Sequence, residues 1–314
     1  MNNKTIDKQT MIGIFAGTGA YILWGFLPIY WKYLNHVPPM EILAHRIIWS
    51  LLFMFIVIFI MKKGSELLLD IRYLGSHPKI IFGLLLASLF ISTNWLLYIW
   101  AVANDRIIEA SLGYYINPLV SVFLGVVFLK EKVNVWQKIS FALATAGVLI
   151  LTFSFEGIPT IAILLALSFA FYGLVKKLTQ IGAFTGLTLE TLLLTPVAMI
   201  YLFFQHDYLQ SAFYTTEQPS SVLFLVGAGA VTAVPLLLFG IGAKKIPLSM
   251  IGILQYIAPT IMLFLGVFSY QETFQSVHFV AFSIIWIALL LYSFSNAKWL
   301  NRTKKQDHIR RFDS

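Results

Sequence analysis

Long apolar runs alternate with short polar connections along almost the whole chain. A helix needs about 20 predominantly apolar residues to cross a bilayer. Runs of that kind fall at 11–30, 40–61, 80–103, 107–129 and 133–155, then at 158–175, 184–204, 221–243, 247–270 and 277–294. They lack the period-two alternation of membrane β-strands and are too long for them. Ten transmembrane helices are therefore predicted, mostly paired as antiparallel hairpins because the connections are short. A longer connection, 62–79, contains LLLDIRYL, an amphipathic stretch suited to the membrane interface.

Composition agrees with that pattern. The chain is 59% hydrophobic and 11% charged, with mean hydropathy +0.81, whereas soluble domains carry about 25% charged residues. Net charge +8 raises the question of nucleic acid. The basic residues, however, sit in short clusters between apolar runs, which is how membrane proteins distribute Lys and Arg. With the N-terminus cytoplasmic, 22 Lys and Arg fall on the inner side except Lys32 and Arg106, outside, and Arg46, within a span. Both termini are predicted to be cytoplasmic. The basic tail 297–314 reads as a topology anchor near anionic lipid, with no nucleic-acid partner. Cysteine is absent, which excludes disulfides and thiol chemistry. No Walker A motif, glycine fingerprint or HExxH helix occurs, so no ATP-driven or metalloprotease chemistry, cofactor or metal site is predicted.

The chain also repeats itself. Tyr115-Ile116-Asn117-Pro118 matches Tyr256-Ile257-Ala258-Pro259, Phe123-Leu124-Gly125-Val126 matches Phe264-Leu265-Gly266-Val267, and Glu131 matches Glu272. Weaker echoes join Trp24-Gly25 to Tyr172-Gly173 and Glu41 to Glu190. Five spans per half is an odd number, so the halves must be inverted relative to each other. The predicted fold is an all-α membrane protein: ten transmembrane helices in two inverted five-helix repeats, 1–155 and 156–296, followed by the tail. Such repeats place a site near the bilayer midplane and allow alternating access.

Within this frame the segments WGFLPIYWKYL, EILAHRIIWSLLF, NWLLYIWAVAN, EASLGYYINPLVSVFLGVVFLKE and LQYIAPT carry a resemblance. The chain resembles the EamA-type transporters of the drug/metabolite transporter superfamily from Trp24 to about Phe294. Ala258 departs from the Asn that symmetry with Asn117 leads one to expect. The resemblance implies a permease of the bacterial inner (plasma) membrane. In small multidrug members of the superfamily an acid in the first helix couples transport to protons. Spans 1 and 6 here contain no Asp or Glu, so that arrangement does not carry over.

Polar groups at membrane depth are the candidate functional residues, because burying them unpaired in lipid is costly. Glu41, His45 and Arg46 lie toward the outer end of span 2, with Glu41 and His45 on one face. Glu41 can be read as a helix-start acid favoured by the dipole or as a gating or coupling group. Arg46 reads as a gate or an anion contact. Glu190, followed by Pro196, is placed to pair with Lys176 or Lys177 or to carry a coupling proton. Trp24, Asn94, Trp95, Tyr98, Tyr115, Asn117, Gln255 and Tyr256 form the candidate substrate cavity, with bundle packing as the other reading. Phe123, off that stripe, is assigned to packing. The preferred function is secondary active transport of a small organic solute, aromatic or amphipathic. A channel, or an intramembrane enzyme or scaffold, remains the alternative.

Overall fold

The computed structural model describes residues 8–34, 36–103, 106–153, 159–179, 181–204, 220–269 and 276–310. All regular structure in them is helical. The elements are α1 (Lys8–Lys32), α2 (Pro39–Ile60), α3 (Gly64–Gly75), α4 (Pro78–Ala103), α5 (Ile107–Val127), α6 (Val135–Phe153), α7 (Thr160–Leu178), α8 (Ala183–Phe204), α9 (Ser220–Lys245), α10 (Leu248–Gln255), α11 (Ile257–Phe264) and α12 (Ser276–Arg310). Eight helices among the described residues are long and apolar enough to span a membrane, and two shorter apolar segments lie at Leu112–Val127 and Leu248–Phe264.

Prolines mark several helix starts. Pro39 and Pro78 are first residues of their helices, while Pro159 and Pro247 directly precede α7 and α10. Proline costs nothing at such positions, because the first N–H groups of a helix have no intrahelical acceptor. Within the sequence repeat the two prolines act differently. Pro118 is accommodated inside a continuous α5. The segment containing Pro259 breaks at Tyr256 into α10 and α11 and ends in a π turn, Leu265–Ser269. The amphipathic stretch is helix α3, with Leu68 and Leu69 outward and Leu74 buried. The last helix runs further than the apolar pattern predicts, to Arg310.

Neighbours in space are set by the hairpins and by pairing between the two halves of the chain. α1 packs on α9 and α11, α7 on α4 and α5, α2 on α8 and α9, and α4 also on α8. Helices α5 and α10 cross, as do α6 and α12. A core of Tyr21, Ala44, Ile47, Met54, Tyr172, Leu236, Phe239 and Ile251 runs between these elements. Phe15, Phe59, Phe82, Phe203 and Phe204 face outward, where lipid is the natural solvent. Phe123 joins them at 59% exposure rather than packing inside. One face of α5 is committed to the crossing with α10, and Phe123 lies off it. Glu272 lies outside the described residues.

Two opposite ends of the bundle are held differently. At the end bearing Lys62 and Lys245, Lys177 donates to the carbonyls of Ala243 (3.1 Å) and Ile246 (2.5 Å), and Lys244 donates to the Thr179 carbonyl. Each lysine satisfies backbone acceptors that a helix end leaves open, so α7 and α9 are stitched reciprocally. At the other end the Tyr30 hydroxyl donates to the Phe224 carbonyl, and His36 bonds Ser221 at 2.8 Å.

Candidate functional site

The close approach of α2 and α9 creates the site. Gly229 lies against the backbone of Trp49 and accepts a hydrogen bond from Ser50 at 3.1 Å. Arg46 is one turn from Ser50 and Thr232 nearly one turn from Gly229, so the same contact brings them together. Arg46 Nε donates to Thr232 Oγ1 at 3.0 Å. Its guanidinium carbon sits 4.8 Å from the centre of the Trp31 ring and 5.0 Å from that of Trp95. Tyr98 and Tyr114 lie on the same side of the bundle, on α4 and α5, with rings 5.9 Å apart. Arg46 stands about 10 Å in from the start of α2 at 1.5 Å per residue. Trp95 and Thr232 are buried, whereas Trp31, Arg46, Tyr98 and Tyr114 each keep accessible surface. These side chains, from α1, α2, α4, α5 and α9, form a partly accessible cluster around the guanidinium, the Arg46 basin.

The remaining candidates do not converge there. Trp24 lies two turns along α1 from Trp31 and joins an aromatic cluster with Tyr21 (5.4 Å), Phe169 (5.5 Å) and Phe239 (5.9 Å). Asn94 is buried and ties α4 to α7, donating to the Leu165 carbonyl (2.9 Å) and Ser168 Oγ (3.0 Å). Tyr115 and Tyr256 meet each other across the α5–α10 crossing. Tyr256 donates to the Tyr115 carbonyl (3.3 Å) in α5, and Tyr115 to the Pro259 carbonyl (3.2 Å) in the broken segment. Both are sealed among Phe282, Ile253 and Leu112. Asn117 accepts from Ser121 (3.1 Å), and Gln255 is buried on the same crossing.

The ionisable candidates occupy two further places. Glu41 is buried, and its carboxylate oxygens have no hydrogen-bond partner among the described residues. His45 lies 4.0 Å from it and accepts from Trp49 Nε1 at 3.3 Å. Near the lysine-rich end, Glu190 accepts from Lys176 (2.8 Å) and from the Tyr172 hydroxyl (3.1 Å). Lys176 rather than Lys177 is its partner. Gly186 and Gly240 leave the room, since a Cβ at either would touch the Lys176 side chain.

Sequence reasoning passed over Trp31, Tyr114 and Thr232. It also passed over two carboxylates that cap other helices. Glu109 accepts from the Ile161 N–H at the start of α7 (2.8 Å), and Arg106 pairs with it at 2.6 Å. Glu131 accepts from the Leu248 (2.6 Å) and Ser249 (2.9 Å) N–H groups at the start of α10. Lys130, at φ 53°, turns the chain so that Glu131 can reach. Negative charge at a helix start is favourable, and such a cap is worth about 1–2 kcal/mol. Glu131→Ala is therefore expected to lower the apparent melting temperature in detergent, with Glu131→Gln intermediate. Equal stability of all three proteins would mean the cap contributes nothing.

Helices this long and apolar, folded around polar groups at membrane depth, define a multi-pass membrane protein. The EamA-like transporter family model matches the chain twice, at residues 11–153 and 158–294. The chain belongs to that family and is a membrane transporter of the drug/metabolite superfamily. It is similar to the uncharacterized transporter YojE of Bacillus subtilis, 49% identical over 94% of this chain and 98% of that protein. It is also 43% identical to the protein RarD of Escherichia coli, over 95% and 99% of the two chains. The chloramphenicol-sensitive protein RarD of Pseudomonas aeruginosa is 26% identical over 94% and 97%. A crystal structure 19% identical in sequence shares the fold, with TM-score 0.65 over 89% of this chain and 96% of the other.

Proposed function

We propose that the chain is a secondary active transporter that moves a small organic solute across the bacterial inner membrane by alternating access. Ten spans would form two inverted halves, 1–155 and 156–296, with both termini and the tail cytoplasmic. The packing carries this reading. Exchanging α1 with α7, α2 with α8, α4 with α9, α5 with α10–α11 and α6 with α12 maps the most extensive helix contacts onto one another. The α1–α9 contact becomes α7–α4, α2–α9 becomes α8–α4, and α2–α8, α5–α10 and α6–α12 map onto themselves. The two family-model matches, which part between 153 and 158, support the same division. Two equivalent arrangements of such halves can exchange by rocking one against the other.

The half-buried basin around Arg46, together with Trp24, is the proposed solute route, and an aromatic or amphipathic solute suits its walls. A proton is the proposed coupling ion. Glu41 supports that, as a buried carboxyl with no hydrogen-bond partner among the described residues and a histidine 4.0 Å away. In proteoliposomes, solute uptake should saturate and be accelerated by solute on the opposite side. Flux linear in concentration without such acceleration would mark a channel. Glu41→Gln is expected to retain exchange but lose accumulation driven by a proton gradient; unchanged accumulation would remove Glu41 from coupling. Reporter fusions after Lys63, Lys132, Lys177, Lys245 and Arg311 should all read cytoplasmic. Two periplasmic readings would overturn the ten-span topology.

A further inference from the structure

The walls of the Arg46 basin are aromatic rings and hydroxyls, with no carboxylate paired to the guanidinium among the described residues. Among the described residues the terminal N–H groups of Arg46 make no hydrogen bond; its one side-chain bond is from Nε to Thr232. The rings of Trp31 and Trp95 attract the cation, yet ring contacts leave N–H donors without acceptors. Tyr98, on the helix that carries Trp95, pairs with Tyr114 at 5.9 Å and extends the aromatic surface. Nearby acids are turned away or engaged. Glu41 lies about 140° round α2 from Arg46 at 100° per residue, and Glu109 is held by Arg106 and the Ile161 N–H. A guanidinium held at membrane depth without a counter-charge is costly. An anion entering the basin would remove that cost and occupy every free donor.

We infer that Arg46 recognises a carboxylate, and that the solute is a small organic monocarboxylate with an apolar or aromatic body and no ammonium group. This rests on the transporter reading only in treating the bound molecule as cargo. A carboxylate matches the planar fork of Arg better than a point acceptor does. The tryptophans and tyrosines then meet the body of the molecule by area and stacking. An α-amino acid fits less well. Its ammonium adds a second positive charge, and no carboxylate faces the guanidinium among the described residues to balance it.

The test uses purified full-length protein in detergent, titrated calorimetrically with phenylacetate, indole-3-acetate and octanoate, and with phenethylamine and phenylalanine for comparison. At least one of the three carboxylates should bind. The amine and the amino acid should bind about tenfold more weakly or worse, the least that one charge-assisted hydrogen-bonded contact confers. Arg46→Gln should lose about tenfold or more for that carboxylate, and Arg46→Lys should recover part of it. The comparison among ligands needs no variant, so it decides the matter even if Arg46→Gln does not fold. No binding of any carboxylate, equal binding of phenylalanine or phenethylamine, or full affinity in a folded Arg46→Gln protein would each overturn the inference. Proteoliposome flux separates it from the transporter reading. Carboxylate binding without saturable flux keeps the anion site and removes transport. Saturable flux of a neutral solute, unaffected by carboxylates or by Arg46→Gln, keeps transport and removes the anion site.

Discussion

Lys176→Met is expected to destabilise the protein by about 3–5 kcal/mol, the cost of removing one partner from a buried ion pair. Lys176 and Glu190 are 3% and 2% exposed and 2.8 Å apart. Removing the ammonium leaves a carboxylate enclosed by α7, α8 and α9, with the Tyr172 hydroxyl donating to it at 3.1 Å. The double variant Lys176→Met/Glu190→Leu should recover most of the loss, because well-packed apolar residues often replace a buried pair without penalty. Size-exclusion thermostability in detergent measures both. A single variant as stable as wild type would show that water reaches Glu190. A double variant no better than the single one would show that Lys176 acts through packing of its stem against Tyr172 instead.

Such a pair shows which parts of the site a sequence can specify. An acid at membrane depth must find a partner, and Lys176 and Lys177 were its only close candidates at that end of the bundle. Which of the two depended on Gly186 and Gly240, whose missing side chains open one path and not the other. Asn94 likewise announced that it needed hydrogen bonds, but not that α7 would supply them. Tyr115 was singled out because it stands in register with Pro118 and has a counterpart in Tyr256. Its neighbour Tyr114 lies about 100° round the helix from it and meets Tyr98 of α4 instead. Nothing local distinguishes two adjacent tyrosines; the helix that each meets decides. The spans themselves were legible because lipid imposes length and polarity on every helix independently of its neighbours. The basin was less so, since Trp31, Arg46 and Thr232 come from three helices whose packing the pattern does not fix. Glu131 sits at a connection between Lys130 and Lys132, and Glu109 in the first turn of α5, where an acid looks like ordinary helix-end chemistry.

Gly229→Val is expected to be among the most damaging single changes in the chain. A Cβ built at Gly229 would stand 2.3 Å from the Trp49 carbonyl carbon and 2.5 Å from its carbonyl oxygen. Those are backbone atoms in the middle of α2, so no side-chain rotation relieves the clash, and the two helices must separate. Overpacking of a flexible core costs about 1–3 kcal/mol; here the loss should reach or exceed the top of that range. Separation would also stretch the Ser50 bond to the Gly229 carbonyl and the Arg46 bond to Thr232, now 3.1 and 3.0 Å. Any Gly229→Val protein that survives in the membrane should therefore lose solute binding more than its residual stability alone explains. Gly64→Ala is the matched control, because a Cβ there meets nothing within 4 Å, and it should leave stability nearly unchanged. Comparing expression, apparent melting temperature and ligand binding for the two variants decides the matter. Wild-type stability in Gly229→Val would mean that α2 and α9 do not approach this closely, and the geometry that places Arg46 beside Thr232 would fall with it.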